Sequence, residues 1–232
     1  MVVPVFEEQD NLEPLHRELT AALAEVPGGV EFVYVDDGSR DGSPERLADL
    51  AKRDGRVRVL RFEKNAGQTA AFAAGFEAAR GEVVATLDAD LQNDPADIPR
   101  LLTALDRADV VNGVRVGRQD GFVRKLSSRI GNGFRNTMTH ESVTDVGCSL
   151  RVMRASYLKR VKLYRGMHRF LPTLLRLEGA RVTELPVNHR PRRHGRSKYG
   201  IANRLFVGLA DVFAVRWMQR RQLSWRLRDP SA

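Results

Sequence analysis

Short apolar runs alternate with amphipathic segments along the first 115 residues. Four runs rich in β-branched and aromatic residues predict strands: Val30–Asp36, Val57–Phe62, Val83–Asp88 and Asp109–Val114. A very short strand, Met1-Val2-Val3, precedes Pro4, and the helical segments begin with the start signals Ser43-Pro44-Glu45 and Asp94-Pro95. Apolar runs without alternation suit strands that are buried on both faces of a parallel sheet. The pattern therefore predicts an open α/β sheet covered by helices.

The pattern changes after residue 115, where arginine becomes frequent. A helix is predicted over 168–178 and a strand over Ala180–Val187. Leu205–Met218 is largely apolar but is interrupted by Asp211 and Arg216, and it is shorter than the about 20 apolar residues that a membrane span needs. It predicts an amphipathic helix that either packs on the core or lies at a membrane interface. The apolar face consists of Leu205, Leu209, Val212, Phe213 and Trp217, and the basic residues are Arg204, Arg216, Arg220 and Arg221.

Charge narrows the choice of partners. The chain has 38 Lys and Arg against 29 Asp and Glu, a net charge of +9, and a pI near 10.3. Such an excess predicts an anionic partner: nucleic acid, an anionic membrane or phosphorylated small molecules. One cysteine, Cys148, excludes an internal disulfide framework and a multi-cysteine zinc site. The N-terminus lacks the basic and long apolar regions of a secretory signal.

The first candidate site is Asp88-Ala89-Asp90-Leu91-Gln92, at the end of an apolar strand. Side chains two apart on a strand point the same way, so the two carboxylates are expected on one face. Paired carboxylates with a nearby amide oxygen suit a hard cation such as Mg²⁺, which in turn binds phosphate oxygens. The alternative is a solvated turn in which Asp90 only caps the following helix.

A second acidic strand end is Val35-Asp36-Asp37-Gly38-Ser39. A carboxylate there would accept hydrogen bonds from a ribose or a base, although these residue types are also typical of a plain turn. Two acidic strand ends in one α/β sheet favour a nucleotide cleft. Neither a dinucleotide-binding G-x-G-x-x-G nor a P-loop occurs, so a metal and basic side chains would have to hold the phosphates.

An ordered series of motifs resembles family 2 glycosyltransferases of the GT-A fold. The series is Pro4-Val5-Phe6-Glu7-Glu8, Val35-Asp36-Asp37-Gly38-Ser39, Asn65-Ala66-Gly67-Gln68 and Asp88-Ala89-Asp90-Leu91-Gln92-Asn93-Asp94-Pro95. Three further segments resemble the polyprenyl-phosphate branch, which includes dolichyl-phosphate mannose synthases and bacterial undecaprenyl-phosphate glycosyltransferases. These segments are Arg124-Lys125-Leu126, Asp145–Arg151 and Arg192–Tyr199.

The resemblance implies a role for each matching residue. The nucleoside of the donor would be held by Pro4, Phe6, Glu8, Val35 and Asp37. The donor diphosphate and its metal would be faced by Asp88, Ala89 and Asp90, with Asp90, Gln92 and Asp88 as metal ligands, and Arg115 would lie near the diphosphate and the sugar. The acceptor phosphate would be received by Arg124 and Ser128, and a loop carrying Arg192 and Lys198 would close over the donor phosphates. Asp88, Asp90, Arg115 and Arg124 would be the catalytic residues.

The implied enzyme is an inverting transferase that moves a sugar from a nucleoside-diphosphate sugar to a polyprenyl phosphate with Mg²⁺ or Mn²⁺. We expect a GT-A domain over residues 1–200, with a mostly parallel nucleotide-binding sheet, and a basic amphipathic C-terminal helix or tail over 201–232. The expected location is cytoplasmic, at the inner face of an anionic membrane, and a membrane-protein partner or a homo-oligomer stays open. One alternative is a GT-A transferase with a soluble or cell-envelope hydroxyl acceptor. The other is a basic nucleic-acid-binding protein, although the sequence has no helix-turn-helix, zinc-finger or RNP-like signature and only 7% aromatic residues.

Overall fold

A computed structural model describes residues 1–116, 131, 133–192 and 202–223, with only the backbone described for 202–207. The described chain forms one seven-stranded sheet with helices on both faces, as the sequence pattern predicts. The strands are β1 Val2–Val5, β2 Phe32–Asp36, β3 Val57–Arg61, β4 Val83–Thr86, β5 Val110–Val116, β6 Arg151–Arg154 and β7 Val182–Asn188. The helices are α1 Gln9–Ala22, α2 Ser43–Arg53, α3 Gln68–Ala78, α4 Ile98–Ala104, α5 over 133–139, α6 Ala155–Leu158, α7 Leu171–Leu177 and α8 Ala202–Arg221. Two 3₁₀ turns, Pro95–Asp97 and Met167–Phe170, lead directly into α4 and α7.

The order of the strands places a crevice beside β1. The sheet runs β3-β2-β1-β4-β6-β5-β7, and all pairs are parallel except those that β6 makes with β4 and β5. The chain therefore winds outward in one direction from β1 to β3 and resumes on the opposite side of β1 with β4. In open α/β sheets, ligands bind outside the carboxyl ends of the strands at such a reversal.

Burial on both faces of the sheet explains the apolar runs. One face packs against α1, α2 and α4 through buried leucines, among them Leu12, Leu15, Leu19, Leu47 and Leu101. The other face packs against α3 and α7 through Phe72, Phe76, Leu171 and Leu175. The two apolar layers fix the strands in place, so the polar residues at the strand ends have defined positions.

The structure corrects one strand boundary that matters for the site. The predicted strand Val83–Asp88 ends at Thr86, so Asp88 and Asp90 lie in the loop after β4. Strand alternation therefore does not align their carboxylates. The chain turns there instead, and Leu91 adopts a left-handed backbone conformation with φ +60°.

Helix α8 divides its apolar residues between two faces. Val212 and Val215 are buried against Met167, Phe170 and Leu174. Phe213 and Trp217, four residues apart on another face, are 56% and 62% exposed. The single apolar face predicted from the sequence was wrong, because Val212 packs on the core while Phe213 and Trp217 point away from it. Within the described residues, no helix is long and apolar enough to cross a membrane.

Candidate active site

The loop that follows β1 forms one wall of the crevice. Its backbone is anchored by two serines, because the Glu7 N–H donates to Ser39 Oγ at 2.9 Å and the Glu8 N–H donates to Ser43 Oγ at 3.0 Å. Glu7 has φ +52°, a conformation that non-glycine residues rarely adopt and that tends to occur at functional sites. The anchored turn directs the Glu8 carboxylate towards the loop after β4, where Arg192 contacts both walls.

Asp88 and Asp90 form the opposite wall, and side chains hold both of them. Asp88 Oδ1 accepts a hydrogen bond from Gln68 Nε2 at 2.6 Å, and the Asp88 N–H donates to Ser149 Oγ at 3.1 Å. Asp90 Oδ1 accepts from the Gln92 N–H at 3.1 Å, and Asp90 Oδ2 pairs with Arg192 Nη2 at 2.6 Å. The structure therefore brings the two predicted carboxylates together at the crevice.

The two carboxylates interact electrostatically. Desolvation of the half-buried Asp88 carboxylate, and then the neighbouring charge of Asp90, raise the pKa of Asp88 to about 6. The larger cause is the loss of solvent around the Asp88 carboxylate, and the second is repulsion between the two aspartates. A cation at this position would relieve that repulsion.

The available donor atoms fit a hard divalent cation of the Mg²⁺ or Mn²⁺ type. Among the described residues, no group of three or more His, Cys, Asp or Glu side chains could hold a metal ion. Mg²⁺ is commonly bound by only one or two carboxylates, with substrate phosphates and waters completing its shell. Asp88 and Asp90 match that pattern and do not match a site built entirely from protein ligands. The side-chain amide of Gln92, the third predicted ligand, donates to the Arg190 carbonyl at 3.5 Å.

Asp37 was predicted to hold the nucleoside, and in this structure its carboxylate accepts hydrogen bonds from the loop over 65–67. Its Oδ1 accepts from the N–H groups of Ala66 and Gly67 at 2.7 and 3.2 Å, and its Oδ2 accepts from Gly67 N–H and Asn65 Nδ2 at 3.0 Å each. Gly38 permits this close approach, because a Cβ atom there would lie 2.6 Å from the backbone carbon of Lys64. These contacts set the start of α3 and so place Gln68 against Asp88.

A cavity of about 620 Å³ opens beside the loops that follow β1, β2 and β3. Its lining includes Phe6, Glu7, Gly38, Ser39, Arg40, Arg61, Phe62, Glu63, Lys64 and Asn65. Phe6, one of the predicted nucleoside residues, lies in this lining. Of the other predicted nucleoside residues, Val35 is buried within β2, and Pro4 lies opposite it in the register of β1.

Arg115 lies at the end of β5 and is held by Asp145. Its Nε and Nη2 donate to the two oxygens of Asp145 at 2.7 and 2.8 Å, a bidentate pair that fixes the plane of the guanidinium. Beneath it, the buried Arg151 donates to Asn112 Oδ1, to the His168 carbonyl and to the Val146 carbonyl. Two arginines therefore stand behind Asp88, and their charges partly offset the rise in its pKa.

A short segment after β7 crosses to the loop that follows β4. His189 forms a bridge with Asn93, and the Arg190 N–H donates to the Gln92 carbonyl at 2.8 Å. Arg190 pairs with Glu18 at 2.6 Å and Asp94 at 2.7 Å, while Arg192 reaches Asp90 and Glu8. This segment carries the predicted residue Arg192 to the metal-ligand candidates.

Three predicted residues, Arg124, Ser128 and Lys198, lie outside the described part of the chain. Sequence reasoning assigned no role to Gln68, Ser149 or Asp145, although all three belong to the motifs on which the resemblance rests. It also missed the contacts of Arg190. Membership of a motif could have identified Gln68, Ser149 and Asp145. No local sequence pattern identifies Arg190.

Comparisons with known proteins identify the family and the fold of this chain. The family model described as Glycosyl transferase family 2 matches residues 1–162. The dodecaprenyl-phosphate galacturonate synthase of Rhizobium johnstonii is 40% identical over 226 residues, which cover 95% of this chain and 67% of that protein. The undecaprenyl-phosphate 4-deoxy-4-formamido-L-arabinose transferase of Edwardsiella ictaluri is 43% identical over 203 residues, covering 87% of this chain and 62% of that protein. The chain thus spans about two thirds or less of the length of these curated relatives.

A solved structure shares the fold at low sequence identity. The glucosyl-3-phosphoglycerate synthase of Mycobacterium tuberculosis, in complex with Mn²⁺ and uridine-diphosphate-glucose, superposes with a TM-score of 0.66 at 18% identity, covering 96% of this chain and 78% of that one. The fold is therefore GT-A, as the motifs implied. With the family model covering more than half of its residues, the chain belongs to glycosyl transferase family 2.

Proposed function

We propose that this chain transfers a sugar from a nucleoside-diphosphate sugar to a polyprenyl phosphate. The observation that carries the proposal is the Asp88–Asp90 pair at the β1/β4 crevice, where an α/β sheet of this topology binds its ligand. The names of two relatives at 40% and 43% identity, a dodecaprenyl-phosphate synthase and an undecaprenyl-phosphate transferase, support the acceptor class.

We infer that Asp88 and Asp90, with Gln92, hold a divalent cation. The Mn²⁺ in the Mycobacterium tuberculosis structure supports this choice, as does the donor set described above. When bound, the cation supplies positive charge to the diphosphate leaving group. Gln68 and Ser149 orient Asp88, and Arg115, whose plane is fixed by Asp145, would stabilise charge on the diphosphate or the sugar.

The acceptor needs little help from a base. A phosphate monoester has a second pKa of about 6 and is therefore largely ionised at neutral pH, so its oxygen attacks the anomeric carbon directly. The bond from the anomeric carbon to the donor diphosphate breaks in the same step, so the nucleoside diphosphate leaves and the anomeric configuration is inverted. Arg124 and Ser128 are our candidates for holding the acceptor phosphate, and Lys198, together with Arg192, for the donor phosphates.

A hydroxyl acceptor is the weaker alternative, because it would need a general base. Burial, and then the charges of Arg169 and Arg151, lower the pKa of His168 to about 3. An imidazole with that pKa is a poor proton acceptor at neutral pH. His168 is therefore not the base that a hydroxyl acceptor would need.

A transfer assay tests the proposed reaction. The full chain is incubated with Mn²⁺ or Mg²⁺, a panel of UDP- and GDP-sugars, and undecaprenyl phosphate, and products are read by mass spectrometry. The matched control acceptor is undecaprenol, which has the same chain without the phosphate. We expect product only with the phosphorylated lipid. Equal transfer to undecaprenol, or saturable nucleic-acid binding without nucleotide-sugar binding, would overturn the proposal.

We also infer that residues 201–232 form a peripheral unit at the cytoplasmic face of an anionic membrane. Phe213 and Trp217 are exposed on one face of α8, and the same helix carries Arg216, Arg220 and Arg221. Exposed aromatics flanked by arginines are typical of a helix in the headgroup region. Such a helix would hold the enzyme at the membrane in which a lipid-linked acceptor lies.

Point variants test the membrane proposal better than truncation, because α8 covers Met167 and Phe170 and its removal would expose them. We expect Phe213→Ser with Trp217→Ser to reduce sedimentation with phosphatidylglycerol vesicles several-fold, with little change in stability. The control is Tyr164→Ser, which removes an aromatic that is 51% exposed outside α8. Unchanged sedimentation of the double variant would refute the role of this face.

A further inference from the structure

We propose that Arg192 is the resident cation of the donor site, and that a divalent metal ion must displace it from Asp90. This inference rests on the proposed function only in taking Asp90 as a metal ligand. It assigns Arg192 a second role besides contact with the donor: competition with the metal.

Arg192 spans the crevice between its two walls. Its Nη2 lies 2.6 Å from Asp90 Oδ2, and its Nη1 lies 3.3 Å from Glu8 Oε1. One guanidinium thus joins the loop after β1 to the loop after β4, at the reversal of the sheet order. The Asp90 side chain is 9% exposed and that of Arg192 is 28% exposed, so the pair is only partly screened by solvent.

The backbone next to Arg192 is fixed to the loop that carries Asp90. The bridge between His189 and Asn93, and the hydrogen bond from the Arg190 N–H to the Gln92 carbonyl, align the two segments. Arg190 pairs with Glu18 and Asp94, so its charge is used outside the crevice. Arg192 therefore reaches Asp90 from an anchored position two residues further along the chain.

A metal ion and the guanidinium cannot share the same carboxylate oxygen without strong repulsion between the two cations. Binding of the metal to Asp90 Oδ2 requires Arg192 to leave that oxygen and lose an ion pair. A nucleoside diphosphate offers the freed guanidinium two phosphate groups, with which arginine pairs well. The diphosphate should therefore promote metal binding, and by linkage the metal should promote diphosphate binding to the same extent.

The test measures Mn²⁺ affinity by calorimetry, with no sugar donor, acceptor or turnover. The full chain and Arg192→Gln are titrated with Mn²⁺ alone. Because the variant has no guanidinium to displace, we expect it to bind Mn²⁺ about 5- to 20-fold more tightly than the wild type. Arg192→Lys keeps the charge but loses the forked geometry, and we expect its affinity to fall between the two.

Arg190→Gln is the matched control, since it removes the same charge two residues away without touching Asp90. We expect its Mn²⁺ affinity to stay within about twofold of the wild type, because charges outside the site act weakly through solvent. An equal gain in both glutamine variants would mean that only the net charge matters, and would overturn the proposal. Unchanged affinity in Arg192→Gln, with the fold intact by circular dichroism, would overturn it as well.

A second titration adds UDP or GDP at saturating concentration, corrected for Mn²⁺ binding to the nucleotide in buffer. We expect the nucleotide to raise Mn²⁺ affinity more in the wild type than in Arg192→Gln, because only the wild type must relocate a guanidinium. An equal increase in both proteins would contradict the competition. If no protein binds Mn²⁺ even with nucleotide, the metal site of the proposed function fails together with this inference. Loss of lipid transfer alone would leave the inference standing.

Discussion

Two acidic strand ends in this molecule look alike in sequence but are used differently. Asp37 follows β2 and is held by the backbone N–H groups of Ala66 and Gly67. Asp88 and Asp90 follow β4 and are held largely by side chains, those of Gln68 and Arg192 among them. Backbone donors in an ordered loop cannot leave without unfolding it, whereas a side chain can rotate away. We therefore expect the first carboxylate to serve mainly the loop that it holds, and the second pair to exchange its partners for a ligand.

The strongest test of this contrast is Asp90→Asn. We expect turnover to fall by about 10³-fold, because one charged ligand of the leaving-group cation is lost. The free energy of unfolding should change by about 1 kcal/mol or less, because the variant loses the ion pair with Arg192 but also relieves the repulsion between Asp88 and Asp90. The control is Asp94→Asn, four residues away, which breaks the pair with Arg190 instead. Asp90→Asn turnover within tenfold of the wild type would remove Asp90 from the site.

Asp37→Asn should show the opposite behaviour. The amide can offer one acceptor oxygen but turns its NH₂ group towards the donors of the 65–67 loop, leaving buried N–H groups without partners. We expect a loss of about 3 kcal/mol in the free energy of unfolding, measured by urea denaturation. A stable variant that has lost only nucleotide binding would show that Asp37 serves the ligand, and the contrast drawn above would fail.

A pH experiment on His168 tests the buried residues behind Asp88. The carbonyl of His168 accepts from Arg151, and its Nδ1 lies 2.7 Å from Thr69 Oγ1 at the start of α3. The folded-state pKa of about 3 is below the ordinary 6.5, so between these values the unfolded chain binds a proton that the folded chain does not. The free energy of unfolding should therefore fall as the pH is lowered through this range, by about 2 kcal/mol between pH 7 and pH 5 from this group. His168→Gln should lack this component in urea titrations at the two pH values. Equal pH dependence in the variant would mean that His168 titrates normally.

The smallest expected effect is that of Gln68→Ala on metal affinity. Gln68 lies between the loop held by Asp37 and the Asp88–Asp90 pair. Gln68 orients Asp88 but would not itself touch the metal, and the loss of such an orienting partner typically costs about tenfold or more in metal affinity. We expect Mn²⁺ affinity to fall about tenfold while the Asp37-held loop and the stability stay unchanged. An unchanged affinity would show that Asp88 needs no side-chain support.

Local sequence patterns were enough to predict the alternation of strands and helices and the edge of the sheet where the acidic residues gather. Such patterns do not contain the contacts that distant residues make. Asp37 is held by amides 29 and 30 residues further along the chain, and Asp90 pairs with a guanidinium 102 residues away. The end of β4 at Thr86 was missed because Leu87 continues the apolar run although it no longer pairs.

The C-terminal helix was misread for a related reason. A helical wheel groups apolar residues by angle but does not say which of them a neighbouring element will cover. Val215 becomes buried only because Met167 and Phe170 meet it, and Phe213 stays outside. The sequence of a helix alone therefore does not show which of its apolar residues another element will bury.

The order of the strands also has a consequence for synthesis on the ribosome. Strands β1, β2 and β3 pair with one another and are complete once residue 61 has emerged. Among the described strands, by contrast, β5 has only β6 and β7 as neighbours, and both follow it in the chain, over 151–188. Both edges of Val110–Val116 therefore stay unpaired until the later segments have been synthesised. An unpaired apolar strand is prone to aggregation. We expect the half with β1 to β3 to fold during translation and β5 to be the segment that chaperones protect.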